Sequence, residues 1–114
     1  IETYPNGLPS ENNSMRIKLT TIRELQPGQM TCVELQQRRI LLANVAGTVY
    51  AVDELCTHED WSLCNGALKG ESVECPLHGS RFDLKTGIPL DEPATQPLQT
   101  YPVVVIDNDT YIDI

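Results

Sequence analysis

Apolar and polar residues alternate with a period of two along most of the chain, and no stretch repeats them at helical spacing. Ile17 and Leu19 alternate with Lys18 and Thr20, Pro27-Gly28 marks a turn, and Thr31 to Leu35 form a second short strand. Ile40 to Val45 and Thr48 to Val52 read as a hairpin across Ala46-Gly47, with the β-branched and aromatic content of Val49, Tyr50 and Val52. Asn65-Gly66 and Lys69-Gly70-Glu71 are turn signals, and Ser72 to Glu74 follow as a short strand. Arg81 to Leu84 and Ile88 to Leu90 predict a further hairpin through Lys85-Thr86-Gly87. Asp91 to Pro102 contains Pro93, Pro97 and Pro102 and predicts a stiff, irregular loop. Val103 to Ile106 and Thr110 to Ile114 then pair across Asn108-Asp109. The fold class is all-β, built of antiparallel sheets.

Length adds a bound to this pattern: 114 residues allow one domain with a core and leave no room for a second. Residues 1–14 are rich in Pro, Gly and Asn without periodicity, so they read as an N-terminal extension or a remnant of cloning, with the domain over 15–114. No apolar run approaches membrane-spanning length and no charged start leads into an apolar stretch, so a soluble cytoplasmic chain is expected; the expected state is a monomer. Sixteen acidic against eight basic residues give a net charge of −8, which excludes nucleic acid and anionic membranes as expected partners. Asp53, Glu54, Glu59 and Asp60 gather on either side of Cys56 with no base among them. Such a patch suits docking on a basic protein surface, although charge runs are usually just solvated faces.

The chemistry-bearing stretch runs from Cys56 to His78. It holds Cys56-Thr57-His58 and Cys75-Pro76-Leu77-His78, separated by residues 59–74. In an extended segment residues two apart share a side, so Cys56 and His58 face one target; a turn at Pro76 lets Cys75 and His78 face it from the other loop. One thiolate and one imidazole on each of two loops is the donor set of a [2Fe-2S] cluster with two Cys on one iron and two His on the other. A structural zinc and four unrelated side chains, two of them ordinary buried thiols, are the other readings, but zinc fingers usually segregate Cys-x-x-Cys from His-x-x-x-His, and both loops match at the spacing a cluster needs. Two ferric ions, two sulfides and two thiolates sum to zero charge, so adding an electron costs less than in an all-thiolate cluster. The mixed set accordingly lies at roughly −150 to +300 mV against about −400 mV for plant-type ferredoxins.

Residues Cys56 to Leu63, Cys75-Pro76-Leu77-His78-Gly79-Ser80-Arg81-Phe82-Asp83 and Thr86-Gly87 resemble a Rieske protein, most closely the small Rieske ferredoxins of aromatic-ring-hydroxylating dioxygenases. The resemblance covers about residues 17–114. It implies a Rieske fold, in which a sandwich-like base of antiparallel sheets carries a small two-loop cluster-binding subdomain at about residues 54–83. It also implies that Cys56 and Cys75 hold the inner iron while His58 and His78 hold the outer one and form the electron's exit. The respiratory members brace their loops with a disulfide at positions that match Trp61 and Leu77 here, so that bridge cannot form. Cys32 and Cys64 are therefore expected to pack as reduced thiols.

High-potential members donate a Ser and a Tyr hydroxyl to cluster or Cys sulfur, at positions that match Ser80 and Phe82. Keeping the first donor and lacking the second implies a potential near the bottom of the range, roughly −150 to 0 mV. Phe82 read by itself is a core aromatic. Trp61 either shields the cluster, meets a partner or simply packs. Pro93-Ala94 resembles the family's proline loop over the cluster, with Glu92 where a Gly often precedes that proline.

The implied function is an electron carrier, without a catalytic site of its own, between a ferredoxin reductase and the terminal oxygenase of aromatic hydrocarbon catabolism. An oxygenase subunit would need a separate mononuclear iron, commonly two His and a carboxylate, and the chain has no His beyond His58 and His78. The alternatives are the Rieske-type small subunit of a nitrite reductase, which commonly lacks the four ligands, and a structural zinc module.

Overall fold

Three two-residue turns organise the strands. The computed structural model describes residues 15–114. Among them, strands follow in the order β1 (Arg16–Lys18), β2 (Met30–Leu35), β3 (Arg38–Val45), β4 (Thr48–Asp53), β5 (Ala67–Lys69), β6 (Ser72–Glu74), β7 (Arg81–Asp83), β8 (Thr100–Tyr101), β9 (Val103–Ile106) and β10 (Asp109–Asp113). Thr21–Glu24 and Leu63–Asn65 are short 3₁₀ turns. The β2–β3, β3–β4 and β9–β10 turns each carry two positive φ angles, at Gln36 and Gln37, Ala46 and Gly47, and Asp107 and Asn108. That left-handed pair matches the twist of the flanking strands, which is why hairpins favour it.

All pairings are antiparallel, in three sheets ordered β1-β10-β9, β2-β3-β4-β8 and β5-β6-β7. Strand β3 lies between two cores. Its Ile40 and Leu42 pack with Leu19, Tyr101 and Ile112, while Leu41 and Ala43 face Leu63, Val73, Phe82, Cys56 and Cys75. The alternation of a strand thus uses both of its faces, and the four residues are fully buried. Full burial of each large side chain contributes about 1.5–3 kcal/mol.

The expected all-β, antiparallel architecture is what the chain adopts. Local differences have physical causes. Ile88 to Leu90 is not a strand: only Phe82 and Pro89 form a bridge, and Pro89 has no N–H with which to extend it. The third strand of that sheet is β5, inside the spacer read as turns. Thr100–Tyr101 joins β4 within the segment read as irregular. The last hairpin turns at Asp107-Asn108, one residue before the expected position. Residues 1–14 lie outside the described residues, and so does the expectation attached to them. Among the described residues no helix is long and apolar enough to cross a membrane.

Candidate metal centre

The first ligand loop leaves β4 and is fixed at its root by Glu54. Arg39 donates through Nε to Glu54 Oε1 (3.1 Å) and through a terminal nitrogen to Oε2 (2.7 Å), and Ser62 Oγ donates to Oε2 (2.6 Å). The Glu54 backbone also accepts from Leu63 N (2.8 Å) and donates to Arg39 O (3.0 Å). Burial works to raise the Glu54 pKa, but the Arg39 and Ser62 hydrogen bonds outweigh it and hold the carboxyl below its ordinary range. Cys56 N donates to Trp61 O (2.8 Å) and Trp61 N to Glu59 O, so Thr57 to Trp61 project as a closed, exposed loop. The four-acid patch is therefore not one surface. Glu54 is buried and paired, Asp53 accepts from the Tyr101 hydroxyl (2.6 Å), and only Glu59 and Asp60 face solvent.

The second loop is held mainly by backbone. Cys75 N donates to Ser80 O (2.8 Å) and Gly79 N to Cys75 O (3.0 Å), a reversal that Gly79 closes at φ +78°. Behind it, Gly66 lies so close to β6 that a Cβ there would meet Glu74 O at 1.9 Å. The Leu63–Asn65 turn is thus wedged between the roots of both loops.

What converges is a segregated donor set. Cys56 and Cys75 are free thiols, 1% and 3% exposed and set in the core with Leu63, Val73 and Phe82. Burial pushes the Cys75 thiol up, the Leu77 backbone N–H pulls it back, and neighbouring Cys56 pushes it up again. Such a buried thiol pair needs a cation to become thiolate. His58 and His78 are exposed, with ring centroids 5.3 Å apart and planes at 66°. Among the described residues, the His/Cys/Asp/Glu group whose ligand atoms all lie within 4.8 Å of one another is His58, Glu59 and His78; neither thiol joins it. A single tetrahedral zinc, at about 2.0–2.3 Å from each donor, would draw all four donors closer than that. Two thiols inside and two imidazoles outside fit a cluster of two irons.

A third segment covers both loops. Thr57 Oγ1 donates to Gln96 O (2.7 Å), and Ala94 N donates to Ser80 Oγ (3.3 Å). Pro93 follows a cis peptide after Glu92 and is exposed, while Ala94 beside it is buried. Ser80 is buried; its hydroxyl oxygen accepts from Ala94, which leaves its proton to donate. Phe82 is fully buried in the core that holds both thiols, and Trp61 is 49% exposed.

One expectation is corrected. Cys32 and Cys64 are not reduced thiols but form a disulfide, with Cα atoms 6.2 Å apart. Their approach is tertiary, between the edge strand β2 and the Leu63–Asn65 turn, and their 32-residue separation gave no sign of it. The Glu54 anchor was also missed, although a signal existed. The register that pairs Val45 with Thr48 and Ile40 with Asp53 sets Arg39 opposite Glu54.

Residues 15–102 match the Rieske [2Fe-2S] domain family. The chain is 37% identical over 98 residues to the ferredoxin component of a naphthalene 1,2-dioxygenase system from Pseudomonas putida, covering 86% of this chain and 94% of that one. It is 36% identical over 97 residues to the ferredoxin component of a biphenyl 2,3-dioxygenase from Rhodococcus jostii, covering 85% and 91%. Among solved structures, a chain from a complex of reduced oxygenase and oxidised ferredoxin in carbazole 1,9a-dioxygenase superimposes with a TM-score of 0.79 at 33% identity, covering 85% of this chain and 91% of that one. With its fold, its segregated thiols and imidazoles and its relatives in agreement, this chain belongs to the Rieske [2Fe-2S] domain family, whose cofactor is a Rieske-type [2Fe-2S] cluster.

Proposed function

We propose that this chain carries single electrons from a ferredoxin reductase to the terminal oxygenase of an aromatic-ring-hydroxylating dioxygenase system, as a cytoplasmic monomer without a catalytic site of its own. Cys56 and Cys75 hold the inner iron of the cluster and His58 and His78 the outer one. The observation that carries this reading is the segregation of the donors: two free thiols in the core, two imidazoles at the surface.

When bound, the cluster supplies a one-electron couple. The residues of the chain do the rest. The core around Cys56 and Cys75 keeps water from the thiolates, and Ser80 keeps a hydroxyl proton for sulfur. The two rings leave the outer edge open to a partner, flanked by the exposed Glu59, Asp60 and Trp61. Relatives named as ferredoxin components, and a similar chain solved in a complex of reduced oxygenase and oxidised ferredoxin in carbazole 1,9a-dioxygenase, support the direction of transfer. The chain has no His besides His58 and His78 for a second iron site.

The test is reconstitution of the purified holoprotein with candidate reductases and oxygenases, following substrate-dependent consumption of reductant. Consumption that requires this protein is the expected result. A colourless, iron-free protein, or consumption indifferent to it, would sink the reading.

A further inference from the structure

We propose that the Cys32–Cys64 disulfide is a redox-responsive tie between the base sheet and the metal centre, opened by a protein dithiol of the thioredoxin class, and that opening it loosens the hold on the cluster. The functional half of this inference rests on the cluster reading above; the existence of the tie does not.

Cys64 lies between the roots of the two loops. It is the middle residue of the Leu63–Asn65 turn. On one side Leu63 N reaches Glu54 O (2.8 Å) at the root of the first ligand loop, and Leu63 is fully buried beside Cys56 and Cys75. On the other side Gly66 rests against Glu74 O, one residue before Cys75. Cys64 N is itself capped by Ser62 Oγ (3.2 Å), the hydroxyl that donates to Glu54. A single turn therefore positions both ligand loops. Its covalent attachment to the base is the bond to Cys32 on β2, a strand that pairs with β3 along one edge only.

Access is the second observation. Both cysteines are half-buried rather than enclosed. Cys32 lines an open cavity of about 570 Å3 together with Leu25, Gln29 and Met30. A disulfide in a cytoplasmic chain is ordinarily transient or sensing rather than permanent, because dithiols there keep thiols reduced. The exchange balances: a thiolate of the dithiol attacks one sulfur, its second thiol resolves the mixed disulfide, and the partner leaves oxidised while Cys32 and Cys64 each gain one electron and one proton. Once opened, the Leu63–Asn65 turn keeps its non-covalent contacts and loses its fixed distance to β2.

The experiment uses the purified holoprotein. Alkylation under denaturing, non-reducing conditions is expected to label Cys56 and Cys75 alone, with a Cys32–Cys64 peptide found by mass spectrometry. After treatment with reduced thioredoxin, all four cysteines label. Loss of visible absorbance under an iron chelator is then expected to run several-fold faster than in the untreated protein. The Cys32→Ser, Cys64→Ser double variant should lose its cluster at the faster rate and no longer respond to thioredoxin. Four labelled cysteines before reduction overturn the inference, as does a release rate that neither thioredoxin nor the double substitution alters. A colourless protein that retains the Cys32–Cys64 peptide would instead overturn the cluster reading and leave the tie in place.

Discussion

The two ligand loops present the same pair of donors and are built on different principles. The first is held from outside by side chains: the Arg39–Glu54–Ser62 cluster at its root and the Cys32–Cys64 bond behind it. The second is held mainly by backbone, through Cys75 N to Ser80 O, the reversal at Gly79 and the approach of Gly66 to Glu74 O, with one side-chain contact where Ala94 N donates to Ser80 Oγ. The difference sets what each loop responds to. Side-chain anchors titrate, are reduced and are replaceable; a backbone cradle answers only to steric change. The first loop therefore responds to protonation at its root and the second to shape, while the Cys32–Cys64 bond, through the Leu63–Asn65 turn, bears on both.

The sharpest break is steric. Gly66→Ala sets a Cβ 1.9 Å from Glu74 O, and because that atom is backbone, the β5–β6 ladder must move and carry Cys75 with it. We expect a loss of about 3 kcal/mol or more in thermal or denaturant unfolding, together with failure to retain the cluster's visible absorbance. An unchanged melting curve would show that the second loop is less rigidly cradled than the first.

Charge provides the next break, at the first loop. Glu54→Ala leaves Ser62 and Arg39 without their acceptor, at a cost of about 1–3 kcal/mol. The pH dependence follows from the sign of the shift. The folded carboxyl lies below the unfolded value of about 4.3, so its contribution is present above that value and is lost as the pH falls through the folded pKa. Asp91 and Asp113, held low by Arg81 and Arg16, give acid sensitivity to wild type and variant alike. The comparison with Glu54→Gln isolates the anchor. The variant should be less stable at neutral pH and show a shallower decline in acid, by denaturant titration at stepped pH.

The contrast between the loops also explains what the sequence could reveal. Candidate ligands come from residue types at fixed local spacing, so Cys56, His58, Cys75 and His78 stood out, and the structure places the two thiols inside and the two rings outside. Strand alternation exposed β3, β4 and the last hairpin because their turns carry Gly or Asn; the Gln36-Gln37 turn has neither, and only its flanking strands were readable. The first loop's anchors come from elsewhere in the chain. Arg39 reaches Glu54 through strand register, and Cys32 reaches Cys64 through packing, so local pattern reported acids and thiols but not their partners. β5 lies between the turn signals Asn65-Gly66 and Lys69-Gly70, and the two residues of β8 lie in a proline-rich segment, so both were hidden by their surroundings.

The smallest expected effect concerns the electron rather than the fold. Beyond its cradle the second loop runs into Ser80 and Phe82, a buried hydroxyl with a proton to give and a buried ring with none. A donor to sulfur that strengthens by about 1 kcal/mol on reduction shifts a one-electron potential by roughly 40 mV. Phe82→Tyr should therefore raise the midpoint by about that amount and Ser80→Ala lower it similarly, measured by spectroelectrochemical titration. Arg39→Ala, which loosens the first loop without touching sulfur, should leave the midpoint unchanged while lowering stability. If the midpoint moved with Arg39 and not with Phe82 or Ser80, tuning would belong to the anchored loop, and the division between a loop that responds to conditions and a loop that sets the potential would be reversed.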